Sequence, residues 1–463
     1  MAIDQPNAEY TAAQPDWMLL RDCHAGERAM KCGGMRYIPK LSAHSTEDYL
    51  AYLQRGSFLN PVAPLIKQFL GLAMRKPPTV EAPESMEGWL SRIDGASCSL
   101  ADQASLAIAE KLLTGRAAVF LDLPDINHDE ELSQADIEEM GVTPSISVIS
   151  AEDIIDWHEE GGRLIHVRIC EEHSEFDRER FETVRQEQIR VLEIDQETGF
   201  YVQRIHRKTT GVAKAEFDSV LEVYPQIDGE YLTEIPFWFV GDTSSVEKSP
   251  LLDIAFLAKT AFQHSCDLNH GLHYVGLPTP VITGVDPEDG NAPTSIGPTE
   301  LWTFSNPDTK AFYLQVDAAG FAALETRLEA LKREIATNGL SLTQQATGQA
   351  ESGVSRSIRV VQENAVLAEA VYQVESAFRS AIRLAANAFG EDPDEIGLTL
   401  NRDFVGQRMS PEEVKALLAA YQAGTMSLDT VLNNFRQGEI IAADVFNDDE
   451  IEKIEESDLD RDA

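Results

Sequence analysis

The side chains of this sequence best suited to chemistry lie close together. His264, Cys266, Asp267, His270 and His273 share one proline-free stretch, and His270 and His273 share a face if that stretch is helical. Histidine nitrogen, thiolate and carboxylate are the usual zinc ligands, and an i,i+3 histidine pair can bind zinc. No second half of such a site is evident, and histidines on a long amphipathic helix are more often packed or solvated. We therefore expect no metal and no cofactor.

Neighbouring acids are the other candidates for catalysis. Glu138-Glu139 and Glu159-Glu160 could act as general acid and base. A chain with 78 acidic residues contains such neighbours by chance. The sequence also lacks a P-loop, a nucleophile elbow, a zinc-protease motif, an EF-hand loop and a dinucleotide-binding loop. We expect a protein that is not an enzyme, and keep an acidic α+β metal-dependent hydrolase using His264–His273 as an alternative.

Composition excludes several other classes of protein. The five cysteines form no C-x-x-C pair and are odd in number, which indicates reduced thiols rather than a disulfide framework or a structural zinc site. No run approaches 18 apolar residues, and the N-terminus is neither basic nor apolar, so we expect no membrane span and no secretory signal. The expected place of synthesis is a cytoplasm.

The charge is strongly negative and unevenly distributed. The formal net charge is −40, and our count places −19 of it in residues 121–235. A protein that reads DNA sequence normally carries a basic patch. Two interpretations remain open: nucleic acid is not a partner, or DNA passes the protein without being bound.

The elements that must position these residues indicate an α+β fold that is mainly helical. Helix starts are predicted at Ser45, at Asn60-Pro61 and at Ser99, the last helix ending near Gly115. A short strand-like run, followed by alternating apolar and polar residues from about 145 to 240, then predicts an antiparallel sheet. Its strands are expected at Ala117–Asp122, Ser145–Ile149, Arg163–Ile169, Gln188–Ile194, Phe200–Ile205 and Glu234–Val240.

A different pattern begins at Pro250. Residues 250–277 predict one long helix of about 42 Å, followed by short strands at Pro280–Thr283, Leu301–Phe304 and Ala311–Val316. The stripe Phe321, Leu324, Leu328, Leu331 and Ile335 predicts a returning helix with Gly339 as its C-terminal cap. Within it, Glu329 and Arg333 form a favourable i,i+4 pair.

The remaining residues predict a polar loop and more helix. Leu340–Gly353 is uncharged apart from Glu351 and is long for a connector between packed helices, which suggests a functional loop. A helix is expected over 354–389, and shorter helices after Ser410 and Ser427, followed by an acidic tail. The last two helices hold too few positive charges for a groove-reading helix-turn-helix and are interpreted as a packed pair.

A set of local sequences, in order along residues 15–440, resembles the portal proteins of tailed double-stranded DNA bacteriophages. No one of them is diagnostic alone. They are Trp17–Asp22 with Gly26, Met35–Lys40, Asn60-Pro61, Leu70–Pro77, Ile235-Pro236-Phe237, Pro250–Ala255 continuing through Asp267, Gly276–Gly284, and Glu351-Ser352-Gly353 with the helix after it.

The resemblance implies a subunit of a twelve-fold ring with wing, stem, clip and crown regions. It implies a ring through which DNA is packaged and ejected, at one vertex of the virion. The implied regions are the wing 1–249, the stem helix 250–277, the clip 278–318, the return stem helix 319–339, the tunnel loop 340–353, the long wing helix 354–394 and the crown with C-terminal helices 395–463. The implied partners are further copies of the chain, double-stranded DNA passing non-specifically, the large terminase subunit, head-tail adaptors, and the major capsid and scaffolding proteins. Another ring-forming virion adaptor stays open as an alternative.

The same resemblance assigns roles to individual residues. Gln344, Gln345, Thr347 and Gln349 would face the moving DNA, although this loop has no lysine or arginine with which to bind it. Lys259, Lys332 and Arg333 would be stem cations at the channel. Pro280, Ile282, Trp302 and Phe304 would dock partner proteins at the clip. A like-charged channel wall would let DNA slide, whereas a basic wall would bind it.

Overall fold

The computed structural model describes most of the chain. The residues described are 3–42, 44–123, 143–178, 181–208, 217–242, 245–276, 279–285, 293, 301–304, 306–314, 319–343, 365–402, 404, 411–437 and 440–441. They contain both helices and strands, and the α+β prediction is confirmed. None of the helices in these ranges is long and apolar enough to cross a membrane.

The described helices lie in the N-terminal part of the chain and again after a long run of strands. The helices are α1 (Ala8–Ala25), α2 (Glu27–Gly33), α3 (Thr46–Arg55), α4 (Val62–Ala73), α5 (Glu84–Leu90), α6 (Leu100–Thr114), α7 (Leu252–Gly276), α8 (Ala319–Thr343), α9 (Ala365–Ala388), α10 (Pro411–Gln422) and α11 (Leu428–Gln437). Single 3-10 turns occupy Gly34–Arg36, Ala151–Asp153 and Pro393–Glu395.

The strands begin with β1 in the N-terminal helical part and end with β14 after α9. They are β1 (Thr79–Glu81), β2 (Ala117–Asp122), β3 (Ser145–Ser150), β4 (Ile154–Glu160), β5 (Arg163–Asp177), β6 (Glu182–Ile194), β7 (Tyr201–Lys208), β8 (Phe217–Val223), β9 (Gln226–Ile227), β10 (Glu230–Tyr231), β11 (Phe237–Phe239), β12 (Thr279–Thr283), β13 (Lys310–Leu314) and β14 (Gly397–Thr399).

Side-chain caps fix several helix starts where the sequence predicts them. The Ser45 hydroxyl accepts from Asp48 N at 3.0 Å, and Asn60 Oδ1 accepts from Val62 N and Ala63 N at 3.1 Å. Ser99 and Asp102 form a reciprocal capping box at the start of α6. These bonds satisfy the backbone N–H groups that a first helical turn leaves without partners.

The chain divides into two compact units. The mixed unit comprises Met1–Met18, Leu65–Leu251 and Ser341–Ala463, and the helical unit comprises Leu19–Pro64 and Leu252–Leu340. Of the strands in the described residues, all except β12 and β13 belong to the mixed unit.

The mixed unit is built around two antiparallel sheets. One has five strands in the order β4-β5-β6-β7-β8, and the other has the order β11-β2-β3. Apolar side chains of both sheets share one core cluster with Tyr10 and Trp17 of α1. The predicted strand Glu234–Val240 forms only over Phe237–Phe239, because Pro236 has no N–H to give to a ladder.

Buried polar groups of the mixed unit are held by specific partners. The Arg116 guanidinium carbon lies 4.0 Å from the ring centroid of Trp157 and 3.9 Å from that of Phe239. Trp17 Nε1 donates to the Thr114 carbonyl at 2.9 Å, and Trp89 Nε1 donates to the Pro144 carbonyl at 2.7 Å. The two tryptophan hydrogen bonds satisfy indole N–H groups that burial would otherwise penalise.

Helix α9 buries one face in the core of the mixed unit. Its alanine-rich face packs on α6 and β2, and Phe378 is fully buried. Glu375, 1 % exposed, accepts from Leu400 N at 2.9 Å and from the guanidinium groups of Arg379 and Arg402. The buried carboxylate therefore ties α9 to the chain around β14.

Candidate functional site: the segment 252–343

Helix α7 carries the reactive side chains of the sequence and lies against α3. The Tyr52 hydroxyl donates to Asp267 Oδ1 at 2.6 Å, and Asn269 Nδ2 donates to the Arg55 carbonyl at 2.9 Å. Gly56 permits the close approach, because a Cβ there would stand 2.2 Å from Cys266 Sγ. The predicted helix 250–277 is confirmed over Leu252–Gly276.

A cluster of aromatic rings and histidines lies where α3 and α7 meet. The His270 ring centroid is 5.2 Å from that of Tyr52, 6.0 Å from that of His44 and 4.9 Å from that of Tyr274. Arg55 NH1 is 2.9 Å from His270 Nδ1. Since arginine can only donate, His270 Nδ1 accepts and the imidazole is neutral. Burial lowers the pKa of His270, and the charges of Arg55, His44 and His273 lower it further.

The histidine cluster does not form a metal site within the described ranges. No three histidine, cysteine, aspartate or glutamate side chains there come together in a way that could hold a metal ion. Cys266 is fully buried, and burial, followed by the Asp267 charge, raises the pKa of its thiol to about 12. Asp267 accepts the Tyr52 hydroxyl. The metal-dependent hydrolase stays an alternative without a ligand set among the described residues.

Strands β12 and β13 follow α7 and form an isolated two-stranded ladder. The register runs from Thr279 opposite Leu314 to Thr283 opposite Lys310. At its far end the Gly284 carbonyl accepts from Thr309 Oγ1 at 3.2 Å and from Asn306 Nδ2 at 3.3 Å. Gly284 has φ +85°, a conformation that glycine adopts readily.

The four predicted docking residues divide between the ladder and the stretch before β13. Pro280 and Ile282 lie in the ladder, where Pro280 stands opposite Tyr313 and Ile282 opposite Ala311. These two docking residues and their two cross-strand partners therefore share one face of the ladder. Tyr313 is 55 % exposed there, and Phe312 on the other face is 49 % exposed.

Trp302 and Phe304 lie outside the ladder and are half-buried. The predicted strand Leu301–Phe304 is wrong, because these residues have no strand conformation. High β-propensity alone does not form a strand, because a strand also requires a neighbouring strand with which to pair. In this region β12 pairs with β13.

Helix α8 returns after the ladder and extends further than predicted. It runs from Ala319 to Thr343, so the prediction that Gly339 caps it, and that a loop begins at Leu340, is wrong. Leu331, Ile335 and Gly339 are buried at spacings of four residues. Gly339 therefore lies on the packed face, where the absence of a side chain permits close packing, and the helix tolerates its cost of about 1 kcal/mol.

The three predicted stem cations have partners in their own helices. Lys332 Nζ lies 2.9 Å from Glu329 Oε1, and Arg333 Nε donates to the Glu329 carbonyl at 3.3 Å. The predicted Glu329–Arg333 side-chain pair is thus replaced by an i,i+3 pair with Lys332, which lowers the pKa of Glu329. Lys259 Nζ lies 4.6 Å from the ring centroid of Phe256 on α7.

The remaining predicted site residues lie outside the described part of the chain. These are Gln344, Gln345, Thr347 and Gln349. The helix expected over 354–389 is described as α9, Ala365–Ala388, and residues 354–364 are also outside the described ranges.

A cavity in the mixed unit was not anticipated from the sequence. It measures about 260 Å³ and lies between β2 and the face of β6–β8. Its charged groups satisfy each other: Arg190 donates to Asp122 and to Glu171, both at 2.8 Å. Gln203 contacts the same aspartate at 3.5 Å. Among the described lining residues, the arrangement is that of a structural ion network.

Comparisons with known proteins find similarity to a family model and to solved structures. A family model described as "Domain of unknown function (DUF4055)" matches residues 250–388, which begins just before α7 and ends at α9. A chain of the solved structure entitled "Virion of native gene transfer agent (GTA) particle" matches over 88 % of this chain and 97 % of its own length, with 12 % sequence identity and a TM-score of 0.38. That TM-score is too low to establish a shared fold. No curated protein sequence matches this chain.

Proposed function

We propose that this chain is the portal subunit of a phage-like virion, one member of a ring through which DNA is packaged and ejected. The observation that carries the proposal is the order helix, two-stranded ladder, helix over residues 252–343. This is the order that the resemblance to portal proteins implies for the stem helix, the clip and the return stem helix. The wing, tunnel loop and crown are assigned at the boundaries given by that resemblance.

The exposure of the helical unit supports assembly into a ring. Ten large apolar side chains of this unit are exposed. They are Met35, Leu41, Leu50, Leu59, Phe256, Leu272, Tyr274, Leu301, Phe312 and Tyr313. Apolar side chains of this kind mark an interaction surface where they form a contiguous patch. In a ring of identical subunits, each neighbour would cover part of the exposed apolar surface of the next subunit.

The partners follow from the proposed position in the virion. Pro280 and Ile282, with Trp302 and Phe304, would dock the large terminase subunit during packaging and head-tail adaptors afterwards. The remaining surface would contact the major capsid and scaffolding proteins. The net charge of −40 supports a conduit for DNA rather than a DNA-binding protein, because a like-charged wall repels phosphates. No chemical step is proposed, and the protein would act without enzymatic activity.

The mass of the purified full-length protein tests the proposal. Twelve copies of 51.2 kDa would give a ring of ~600 kDa, and an electron-microscope image would show its symmetry. A monomer or dimer at micromolar concentration in every salt condition would contradict the proposal. Zinc at one atom per chain in elemental analysis would favour the hydrolase instead.

A second experiment tests the loop that would face DNA. Deletion of residues 344–349 should leave the ring mass unchanged and reduce DNA packaging in a complementation assay. A matched deletion in the acidic tail, residues 455–460, should leave packaging intact. Loss of the ring in the first variant would assign the segment a structural role.

A further inference from the structure

The hairpin β5–β6 extends beyond the sheet to which it belongs. β5 pairs with β4 only through Ile169, and β6 pairs with β7 only from Gln188 onward. From Glu172 opposite Glu187 to Asp177 opposite Glu182, the two strands pair only with each other. We name these residues, 172–177 and 182–187, with Arg178 and Phe181, the arm. Six residue pairs give it a length of about 20 Å.

The arm exposes large apolar side chains at its end. Phe176 is 56 % exposed, Phe181 is 81 % exposed and Val184 is 41 % exposed. Along β6, the first buried residue is Gln188, which lies inside the five-stranded sheet. The end of the arm therefore lacks a covering surface among the described residues of its own chain.

The arm is also weakly stabilised by its own pairing. An isolated two-stranded ribbon is marginally stable in water. Glu172 stands opposite Glu187, and like charges in directly opposed positions destabilise a ladder. Arg185 lies 3.4 Å from Glu172 and Lys208 lies 2.6 Å from Glu187, and these ion pairs offset part of that repulsion. A partner surface would supply the stability that the ribbon lacks.

Charge identifies the kind of partner that fits. Residues 176–185 contain three arginines and three carboxylates, so this end is neutral within a region that our count gives −19. Arg178 and Arg185 are exposed. Two copies of a chain with a charge of −40 repel each other over most of their surfaces. A neutral end with apolar side chains and exposed arginines can approach the carboxylates of a second copy without adding to that repulsion.

We infer that the arm is a clasp between subunits, which binds the acidic surface of a second copy of this chain through Phe176, Phe181 and Arg178. The inference rests on the proposed ring, since a ring places a second copy beside every subunit. It deepens that proposal, because it assigns the contact between neighbours to the mixed unit in addition to the helical unit.

Photo-cross-linking tests the partner directly. A benzophenone amino acid replaces Phe181 in the full chain, and the purified protein is irradiated and run on a denaturing gel. The expected product is a cross-linked dimer of about 102 kDa, twice 51.2 kDa. The same amino acid in place of Tyr231, an aromatic of the same unit that is 43 % exposed, should give little of this product.

The possible outcomes distinguish a failure of the inferred clasp from a failure of the proposed ring. A ring by mass measurement without a dimer adduct at position 181 would overturn the clasp and leave the ring standing. A dimer adduct from a protein that forms no ring would support the clasp and contradict the proposed function. Adducts confined within one chain would overturn the clasp in either case.

Substitution measures the contribution of the clasp. Phe176→Ser with Phe181→Ser should raise the subunit concentration needed for assembly by about tenfold, as for loss of an aromatic anchor. The melting temperature of the unassembled chain should not change, because both side chains are exposed in it. Tyr231→Ser is the matched control and should assemble normally. Unchanged assembly of the double variant would argue against the clasp.

Discussion

Helices α8 and α9 have nearly the same length and opposite environments. α8 has 25 residues and α9 has 24, and both carry an apolar stripe. Eleven residues of α9 are buried. Over the described side chains of α8, burial is confined to Leu331, Ile335 and Gly339, while Leu324 and Leu328 of the same stripe are half-covered. An apolar stripe in the sequence therefore predicts a helix, but not whether its own chain covers it. We interpret α9 as core and α8 as a helix that a neighbour completes.

The largest effect is expected from a truncation in the core of α9. Phe378→Ala should lower the free energy of unfolding by about 3–5 kcal/mol, because it leaves a cavity that the packed helix cannot fill. Urea denaturation of the full chain measures the change. Tyr372→Ala, in the same helix but 53 % exposed, should cost under about 1 kcal/mol. Equal costs for the two variants would show that α9 is not the core helix described.

The next largest effect concerns the buried carboxylate of α9. Glu375→Gln should lower the free energy of unfolding by about 3 kcal/mol, since Arg379 and Arg402 lose their ionised partner. The measurement is the urea midpoint at constant pH. Glu369→Gln, an exposed position on the same helix, serves as the control and should have little effect. A stable Glu375→Gln protein would show that the ion network contributes little.

Two substitutions in α8 compare a buried position of its apolar stripe with a half-exposed one. Leu331→Ala, at a fully buried site, should cost about 2–3 kcal/mol in the unassembled chain. Leu324→Ala should cost under about 1 kcal/mol there, because its side chain is already half-exposed. Leu324→Ala should instead weaken assembly, followed by mass measurement across a dilution series. Assembly that is insensitive to Leu324 would mean that α8 lies outside the subunit contacts.

The smallest effect on the free energy of unfolding is expected from protonation of His270 in the helical unit. The pKa of His270 is lowered in the folded chain by burial and by Arg55, so proton binding favours the unfolded chain. Stability should be complete above about pH 6.5 and should fall as the pH drops below it. His270→Gln retains an acceptor for Arg55 and should reduce this decrease, as followed by urea midpoints between pH 5 and 8. His158→Gln, at a site 63 % exposed, should retain the wild-type profile.

Much of the fold was predictable because its signals are local. Caps at Ser45, Asn60 and Ser99 depend on side chains within three residues of the backbone that they satisfy. The strands β2 and β3 were predicted to within one residue, β2 from a short strand-like run and β3 from alternation. The α+β class followed from the same two periodicities.

The errors arose where a long-range partner decides the outcome. Gly339 looked like a cap, but burial beside Leu331 and Ile335 keeps it inside α8. Leu301–Phe304 looked like a strand, but β12 pairs with β13 instead. The contact between Arg55 and His270 joins residues 215 positions apart, and no local pattern indicates it. The arm was missed because strand length depends on where neighbouring strands stop.

The positions of the tryptophans determine which unit's unfolding changes the intrinsic fluorescence of the protein. Four of the five, Trp17, Trp89, Trp157 and Trp238, belong to the mixed unit, and Trp302 alone lies in the helical unit. Trp157 also stacks on the Arg116 guanidinium, and separation of the two on unfolding would change its emission. A fluorescence melting curve would therefore follow the mixed unit. Loosening of α3 from α7 would leave that curve nearly unchanged and would require circular dichroism or hydrogen exchange to be detected.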